Sequence, residues 1–363
     1  MPSRARVDRA TVAQSLPSSG SITAHRLRPI AAIAKAGYTR AMDVIRDWRT
    51  FPGNLRGGIL SVGNFDGVHI GHAAMLEMAR GEARRRGVKF IIMSFDPHPG
   101  TVLRPELPRP MISTLEQRMA LLRSHGADAL VLIEPTREFL GMSPDDFLGD
   151  VVARALGAVA MVEGSNFTFG KGALGDIAMV QRDGARWGIE FLLAPTRQVV
   201  LSDLTQVNVS SSLVRWLIAQ GRVADAGKCL GRTYGLVGEV VRGEQRGRQI
   251  GFPTANVRSE QLLPAAGVYA GRCRLSDGRE TFAAISVGTN PTFAGKNMTV
   301  EAFLLDFSGD LYGQPVELLF DRWIRDMWAF SGVEPLVRQI EKDVVAVRIA
   351  AATAPRPVMQ LEV

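Results

Sequence analysis

A chain of 363 residues, 46% hydrophobic and 22% charged, has room for two ordinary domains with a core each. Its formal charge of +7 invites a nucleic-acid reading, but seven Lys/Arg and one acid fall in residues 1–41, leaving 36 basic and 35 acidic residues beyond them. That balance disfavours a nucleic-acid partner, and no apolar run is long enough to span a membrane. Cys229 and Cys273 stand alone without metal-ligand spacing, which suits a reducing, cytoplasmic compartment. Residues 1–41 are rich in Ser, Ala and Arg without a sustained period, so they are expected to be a disordered or dispensable extension. Met42 offers an alternative start of translation, and organelle targeting is the other open reading.

An apolar strand-like run at 59–62 leads into Ser61-Val-Gly-Asn-Phe-Asp-Gly-Val-His-Ile-Gly-His72, and a helical run follows from Ala73. Such a strand–turn–helix aims the unpaired N–H groups and positive end of the helix at whatever lies above the strand. Gly63, Gly67 and Gly71 leave the backbone bare enough for a polyphosphate to approach. His69 and His72 are suited to stabilising charge on a phosphorus under attack. Next come a buried-strand run at 89–95 ending in Asp96-Pro-His-Pro99, a helix at 115–125, a strand at 129–133, a helix at 144–155 and a strand at 159–162. Strands alternating with helices predict a doubly wound α/β domain with a parallel sheet, ligands binding at the carboxyl ends of its strands. Gly164-Ser-Asn-Phe-Thr-Phe-Gly-Lys171 is not a P-loop, because its glycines are six apart and Gly172 replaces the magnesium-binding hydroxyl. Val209-Ser-Ser-Ser-Leu-Val-Arg215 opens a helix with a serine as N-cap and Gly221 as a stop. Hydroxyls and N–H groups at a helix start, with an arginine one turn in, make an anion clamp.

The pattern changes after a short helix at 223–230. Closely spaced β-branched runs at 236–241, 267–275, 282–287, 300–306 and 316–320 predict an antiparallel β-barrel or sandwich. A terminal helix follows, with Ser331 and Glu334 as a capping box and Leu336, Val337, Ile340, Val344 and Val347 on one face. Within the barrel, Gly243-Glu-Gln-Arg-Gly-Arg-Gln-Ile-Gly-Phe-Pro-Thr-Ala-Asn256 places a glycine every fourth residue, as suits a loop over nucleotide phosphates. Thr254 and Asn256 alternate to one side of an extended segment, so both oxygens can reach one Mg²⁺.

Taken together these strings resemble the bacterial bifunctional riboflavin kinase/FAD synthetase family. The first resembles the nucleotide-binding motif of the nucleotidylyltransferases, and Gly251-Phe-Pro-Thr-Ala-Asn256 resembles the riboflavin kinase motif. The resemblance covers about 42 to 349. It implies an FMN adenylyltransferase domain at 42–224, a linker at 225–231, a riboflavin kinase domain at 232–350 and a tail at 351–363. The substrates would be riboflavin, FMN and ATP, with Mg²⁺ as cofactor. In the first domain, Gly63, Asn64, Phe65, Gly71, Ser211, Ser212 and Arg215 would bind ATP, His69 and His72 would be catalytic, and Asn166, Phe167 and Thr168 would contact the flavin. In the second, Gly243, Gly247, Arg248 and Gly251 would hold ATP, Thr254 and Asn256 the metal, and Arg325 the flavin. Glu301 would be the base that deprotonates the ribityl 5′-hydroxyl. Gly288 to Phe293 and Asp310-Leu-Tyr-Gly313 stand where the family has substrate-proximal loops.

The chain departs from the pattern at several points. Many members carry Asp where Asn166 stands and a basic residue at Thr168. Ser212 replaces a threonine, Ile324 a leucine, and Trp328 falls in a usually polar region. Three rival readings therefore stay open: an enzyme in which only the kinase turns over efficiently, a non-catalytic flavin carrier, and a nucleic-acid binder using the barrel as an OB-like platform. The resemblance leaves room for a weak homo-oligomer, for which the sequence shows no interface.

Overall fold

The computed structural model describes residues 41–107, 109–243, 246–289 and 298–353. The expectations for residues 1–40, for 290–293 of the Gly288 stretch and for the tail beyond 353 lie outside the described residues. The first half is built on a six-stranded sheet of β1 (Asp43–Ile45), β2 (Ile59–Val62), β3 (Phe90–Phe95), β4 (Ala129–Ile133), β5 (Ala160–Glu163) and β6 (Glu190–Leu193). Every pairing is parallel and the order is β1-β4-β3-β2-β5-β6. The central strands read as unbroken apolar runs because helices cover both faces. The edge strands β1 and β6 are short and partly exposed, so neither has the apolar signature that reveals β2 to β5.

Helix α1 (Ile70–Arg86) follows β2, and α2 (Leu115–Ser124) precedes β4 with a Thr114–Gln117 capping box. The helix expected at 144–155 begins as Pro144–Asp146 and continues through Phe147–Ala155 with wider i→i+5 turns. Helix α3 (Ser211–Ala219) is capped by Ser210, whose hydroxyl accepts from the N–H of Leu213, and α4 (Val223–Leu230) leads into the second half.

That second half is a closed six-stranded barrel of β7 (Tyr234–Val241), β8 (Thr254–Arg258), β9 (Gly267–Arg274), β10 (Glu280–Thr289), β11 (Met298–Leu304) and β12 (Pro315–Arg325). Its order is β7-β8-β11-β10-β9-β12, antiparallel throughout. Between the barrel and sandwich alternatives, closure decides for the barrel. Alternation fills its interior with Leu236, Val257, Ile285, Val300, Ala302 and Leu318, all buried, and turns the intervening residues outward. Helix α5 (Val333–Thr353) packs Val347 and Ala350 against the outside of the barrel. The two halves share a core, because Val214, Leu217, Ile218 and Leu230 join barrel residues in one apolar cluster.

Candidate active sites

The carboxyl ends of β2, β3 and β5 open into a cleft of about 920 Å³, the size of a pocket for an extended small molecule. Gly63, Asn64, Phe65, Gly71, His69, His72, Asn166, Phe167, Thr168, Ser211, Ser212 and Arg215 all line it. Three stretches far apart in sequence thus meet on one cavity, as expected for a doubly wound sheet.

His69 is the N-cap of α1, its Nδ1 accepting from the backbone N–H of His72 at 3.2 Å. The two imidazoles stack, with centroids 3.7 Å apart and planes inclined by 14°. A Cβ on Gly71 would lie 3.1 Å from Cε1 of His69, so the missing side chain lets the ring fold back over the helix start. Burial lowers the His69 pKa to about 4, opposed by its backbone hydrogen bond and reinforced by Arg232. Burial also holds His72 well below the usual histidine range, followed by the effect of His69. Both rings are therefore neutral at pH 7. Nδ1 of His72 and Oδ1 of Asn64 are buried without a partner, as is Nε of Arg215. These polar atoms at the cleft lack a hydrogen bond that a bound ligand could supply.

Asp66, within the Gly63–His72 motif but without a role expected from sequence, is 1% exposed and organises the site. Its carboxylate accepts from the N–H groups of Ile112 and Ser113 at 3.0 and 3.1 Å, and from Arg215 at 2.5 Å. Its carbonyl accepts from the Ser211 hydroxyl at 3.1 Å. The helix-start serine and the arginine are thereby tied to the His-x-Gly-His turn. Arg118 donates to the carbonyl of Asn64 at 3.0 Å. His98, placed by sequence at a strand end without a role, also lines the cleft, and burial, then Arg109 and Arg215, lower its pKa to about 4. Glu163 ends β5 at the cleft wall and accepts from Val62 N at 2.6 Å. Its burial pushes its pKa well above the carboxylate range. An acid closing an otherwise apolar strand was a signal available in the sequence.

The far end of the cleft is apolar and aromatic. Phe167 and Phe169 stack at 5.4 Å, Phe169 lies 5.5 Å from Phe147, and Phe139 and Phe95 continue the series. Asn166 and Thr168 are exposed at its rim.

The second site lies on the outer face of the barrel. Thr254 and Asn256 alternate outward from β8, and Glu301 is the cross-strand partner of Asn256 and of Ser286. The Thr254 hydroxyl donates to Glu301 Oε2 at 3.1 Å. A Cβ on Gly243 would lie 2.3 Å from Asn256 Nδ2, so the loop before β8 approaches that amide as only glycine can. Gly247 and Arg248 lie in the short turn Arg246–Gln249, and Gly251 follows with φ +86°. Among the described residues no three His, Cys, Asp or Glu side chains cluster as a metal site.

Arg325, expected at the flavin, is held by the protein itself. Its guanidinium is taken up by Asp343 of α5, with contacts of 2.9, 3.2 and 2.7 Å, and lies over the Trp328 ring at 4.9 Å. Gln339 donates a further bond to the same carboxylate. In this structure the residue fastens the terminal helix to β12.

The family model described as FAD synthetase matches residues 52–212, and the one described as riboflavin kinase matches 230–350. The bifunctional riboflavin kinase/FMN adenylyltransferase of Escherichia coli (strain K12) is 32% identical over 294 residues, covering 80% of this chain and 92% of that protein. This chain belongs to that bifunctional family. The member from Listeria monocytogenes is 33% identical over 294 residues, covering 78% of this chain and 90% of its own. A solved structure titled as a macrolide-efflux protein from Streptococcus pneumoniae matches with a TM-score of 0.74 and 28% identity, over 85% of this chain and 98% of that one. The shared architecture thus extends across both halves. Among the described residues of this family member, no helix is long and apolar enough to cross a membrane.

Proposed function

We propose that the barrel domain phosphorylates riboflavin to FMN with ATP and that the parallel-sheet domain adenylylates FMN to FAD, releasing pyrophosphate. The observation that carries this reading is the pairing, on one chain, of the His69–His72 cleft with the Thr254–Asn256–Glu301 group. In the adenylyl step an FMN phosphate oxygen attacks the α-phosphorus of ATP, and the bond from that phosphorus to the bridging oxygen breaks. No protein nucleophile is required. Because Nδ1 of His69 accepts a hydrogen bond, the neutral ring carries its proton on Nε2 and donates from there. His69, His72, Ser211 and Arg215 would stabilise the charge on the phosphoryl oxygens and on departing pyrophosphate. The backbone around Gly63, Asn64, Phe65, Gly71 and Ser212 would cradle the nucleotide. The isoalloxazine ring would lie against Phe167, with Asn166 and Thr168 contributing neutral polar contacts.

In the kinase step Glu301 would take the proton from the ribityl 5′-hydroxyl as that oxygen attacks the γ-phosphorus. Thr254 gives its hydroxyl hydrogen to Glu301, which leaves its oxygen lone pairs for a cation. With the Asn256 amide they offer hard, neutral oxygens, which fit Mg²⁺ whose remaining ligands come from phosphate and water. Mg²⁺ held there would neutralise and orient the ATP phosphates. Gly243, Gly247, Arg248 and Gly251 would close over those phosphates. We place the reactions in the cytoplasm, where ATP and reduced thiols coexist.

The test is a product assay with purified protein, riboflavin, ATP and Mg²⁺, separating FMN from FAD by chromatography. FMN should appear first and FAD later. FMN accumulating without FAD would leave a kinase alone, and no turnover even with FMN supplied would overturn the enzyme reading.

A further inference from the structure

The turn that presents His69 and His72 is not self-supporting. Phe65 and Val68 adopt left-handed φ values of 49° and 36°, with Gly67 at 78° between them. For a β-branched residue such as Val68 that conformation is costly, and it persists only where the surroundings over-determine it. Two of the groups that do so come from the barrel half of the chain. Arg232, just before β7, donates to the carbonyl of Gly67 at 2.6 Å and to that of Val68 at 3.1 Å. Arg232 also donates to the Leu230 carbonyl at 3.2 Å, so this part-buried guanidinium is engaged by three backbone oxygens.

The second group is Gln261, which is 5% exposed. Its Nε2 donates to the carbonyl of Ile112 at 2.8 Å, while Leu262 N donates to Met111 O at 2.9 Å. The segment pinned in this way supplies the Ile112 and Ser113 N–H groups that hold the Asp66 carboxylate, and Ser113 Oγ accepts from Gly67 N at 3.0 Å. Asp66 in turn holds Arg215. A continuous set of hydrogen bonds therefore runs from the barrel to both phosphate-facing sides of the other site.

We infer that Arg232 and Gln261, both within the riboflavin kinase domain, are positioning residues for adenylyl transfer. They hold the 65–68 turn and the 111–113 segment in the shape that aims His69, His72 and Arg215 into the cleft. Neither touches the reacting atoms. The adenylyl-transfer site is therefore complete only with the kinase domain docked behind it. This rests on the reading of the cleft as an FMN adenylyltransferase site.

The experiment uses the full chain and measures FAD formation from supplied FMN and FMN formation from riboflavin on the same preparations. In Arg232→Met and Gln261→Leu, kcat for FAD formation should fall about tenfold or more, because misplacing reacting groups costs kcat, while KM for FMN and ATP changes no more than about twofold. Riboflavin phosphorylation should hold within about twofold, which also shows that each variant is folded. Arg232→Lys should restore part of the loss. The groups facing His69 are the stacked His72, Asp66, which favours protonation, and Arg232, which opposes it. In Arg232→Met the acid limb of FAD formation should therefore move to higher pH. The inference is overturned if FAD formation is unchanged, if both activities fall together, or if KM rises with kcat kept. Unaltered protein that made no FAD from FMN would remove the adenylyl-transfer reading itself, and the inferred role with it.

Discussion

The two sites solve the same problem, stabilising charge on a transferring phosphorus group, with opposite means. In the parallel-sheet domain the cleft is deep, its histidines are buried and neutral, and each motif is tied to another through Asp66 and backbone groups. In the proposed reaction, stabilisation there would come from fixed N–H and O–H dipoles and one partly buried arginine. On the barrel, Thr254, Asn256 and Glu301 are half-exposed on an outer face, with the Thr254 hydroxyl bonded to Glu301 and Asn256 beside Glu301 on the neighbouring strand. In the proposed kinase reaction that face would need less prior arrangement, because a metal–nucleotide complex would bring its own ordering charge. The difference predicts that the first site is sensitive to remote supports and the second to its few direct contacts.

The sharpest way to separate the sites is Glu301→Gln. Riboflavin phosphorylation should fall about 10²–10⁴-fold, the range for losing a positioned base, while FAD formation from supplied FMN is retained. Loss of both in a product assay would contradict the division of labour. Asp343→Ala tests whether Arg325 serves the barrel's structure. Removing one partner of this buried pair should destabilise the fold by about 3–5 kcal/mol, read as a lower midpoint in urea unfolding. An unchanged midpoint would free Arg325 for a ligand. His72→Ala should reduce FAD formation about 10²–10³-fold at unchanged riboflavin phosphorylation, the scale for removing a preorganised donor.

The smallest expected effect is one of pH. All four described histidines (His69, His72, His98 and His125) lie in the first domain, and burial is the leading cause of a lowered pKa in each. The barrel sequence from 231 onward contains none. An unfolded histidine takes up a proton near its ordinary value of 6.5, while native His69 and His98 resist until about 4. The unfolded state then binds more protons, so this stabilisation is present above about pH 6.5 and is lost as pH falls towards about 4. Tm should decline over that window, and FAD formation should fail at a higher pH than riboflavin phosphorylation. Equal acid sensitivity of the two activities would remove the asymmetry.

What could be read from the sequence follows from how local each signal is. The strand–turn–helix around His69 and the alternation that turns Thr254 and Asn256 outward depend on neighbours within a few residues, and both are legible. The support of Asp66 by Ile112 and Ser113 joins residues 46 and 47 apart, and no local pattern announces it. Edge strands β1 and β6 escaped notice because three or four half-exposed residues carry neither a long apolar run nor a clear alternation. Asp343 was within reach. It falls on the face of α5 that carries Ile340, Val344 and Val347, and a carboxylate on an apolar stripe needs a cation nearby. The terminal helix starts at Val333, one residue later than a cap at Ser331 would start it, which is within the ordinary uncertainty of helix ends.

Closure of the barrel has a consequence for how copies of this chain can meet. Each barrel strand already has a partner on both sides, so the ring offers no row of open backbone groups for a neighbour to extend. The other sheet ends in Asp43–Ile45 on one side and Glu190–Leu193 on the other, ledges of three and four residues. The ribbons Gln198–Val200/Gln206–Asn208 and Thr168–Phe169/Gly175–Asp176 have edges no longer than these, so strand-by-strand growth from any described edge would find few hydrogen bonds on offer. Among the described residues, topology thus guards the native fold against templated polymerisation.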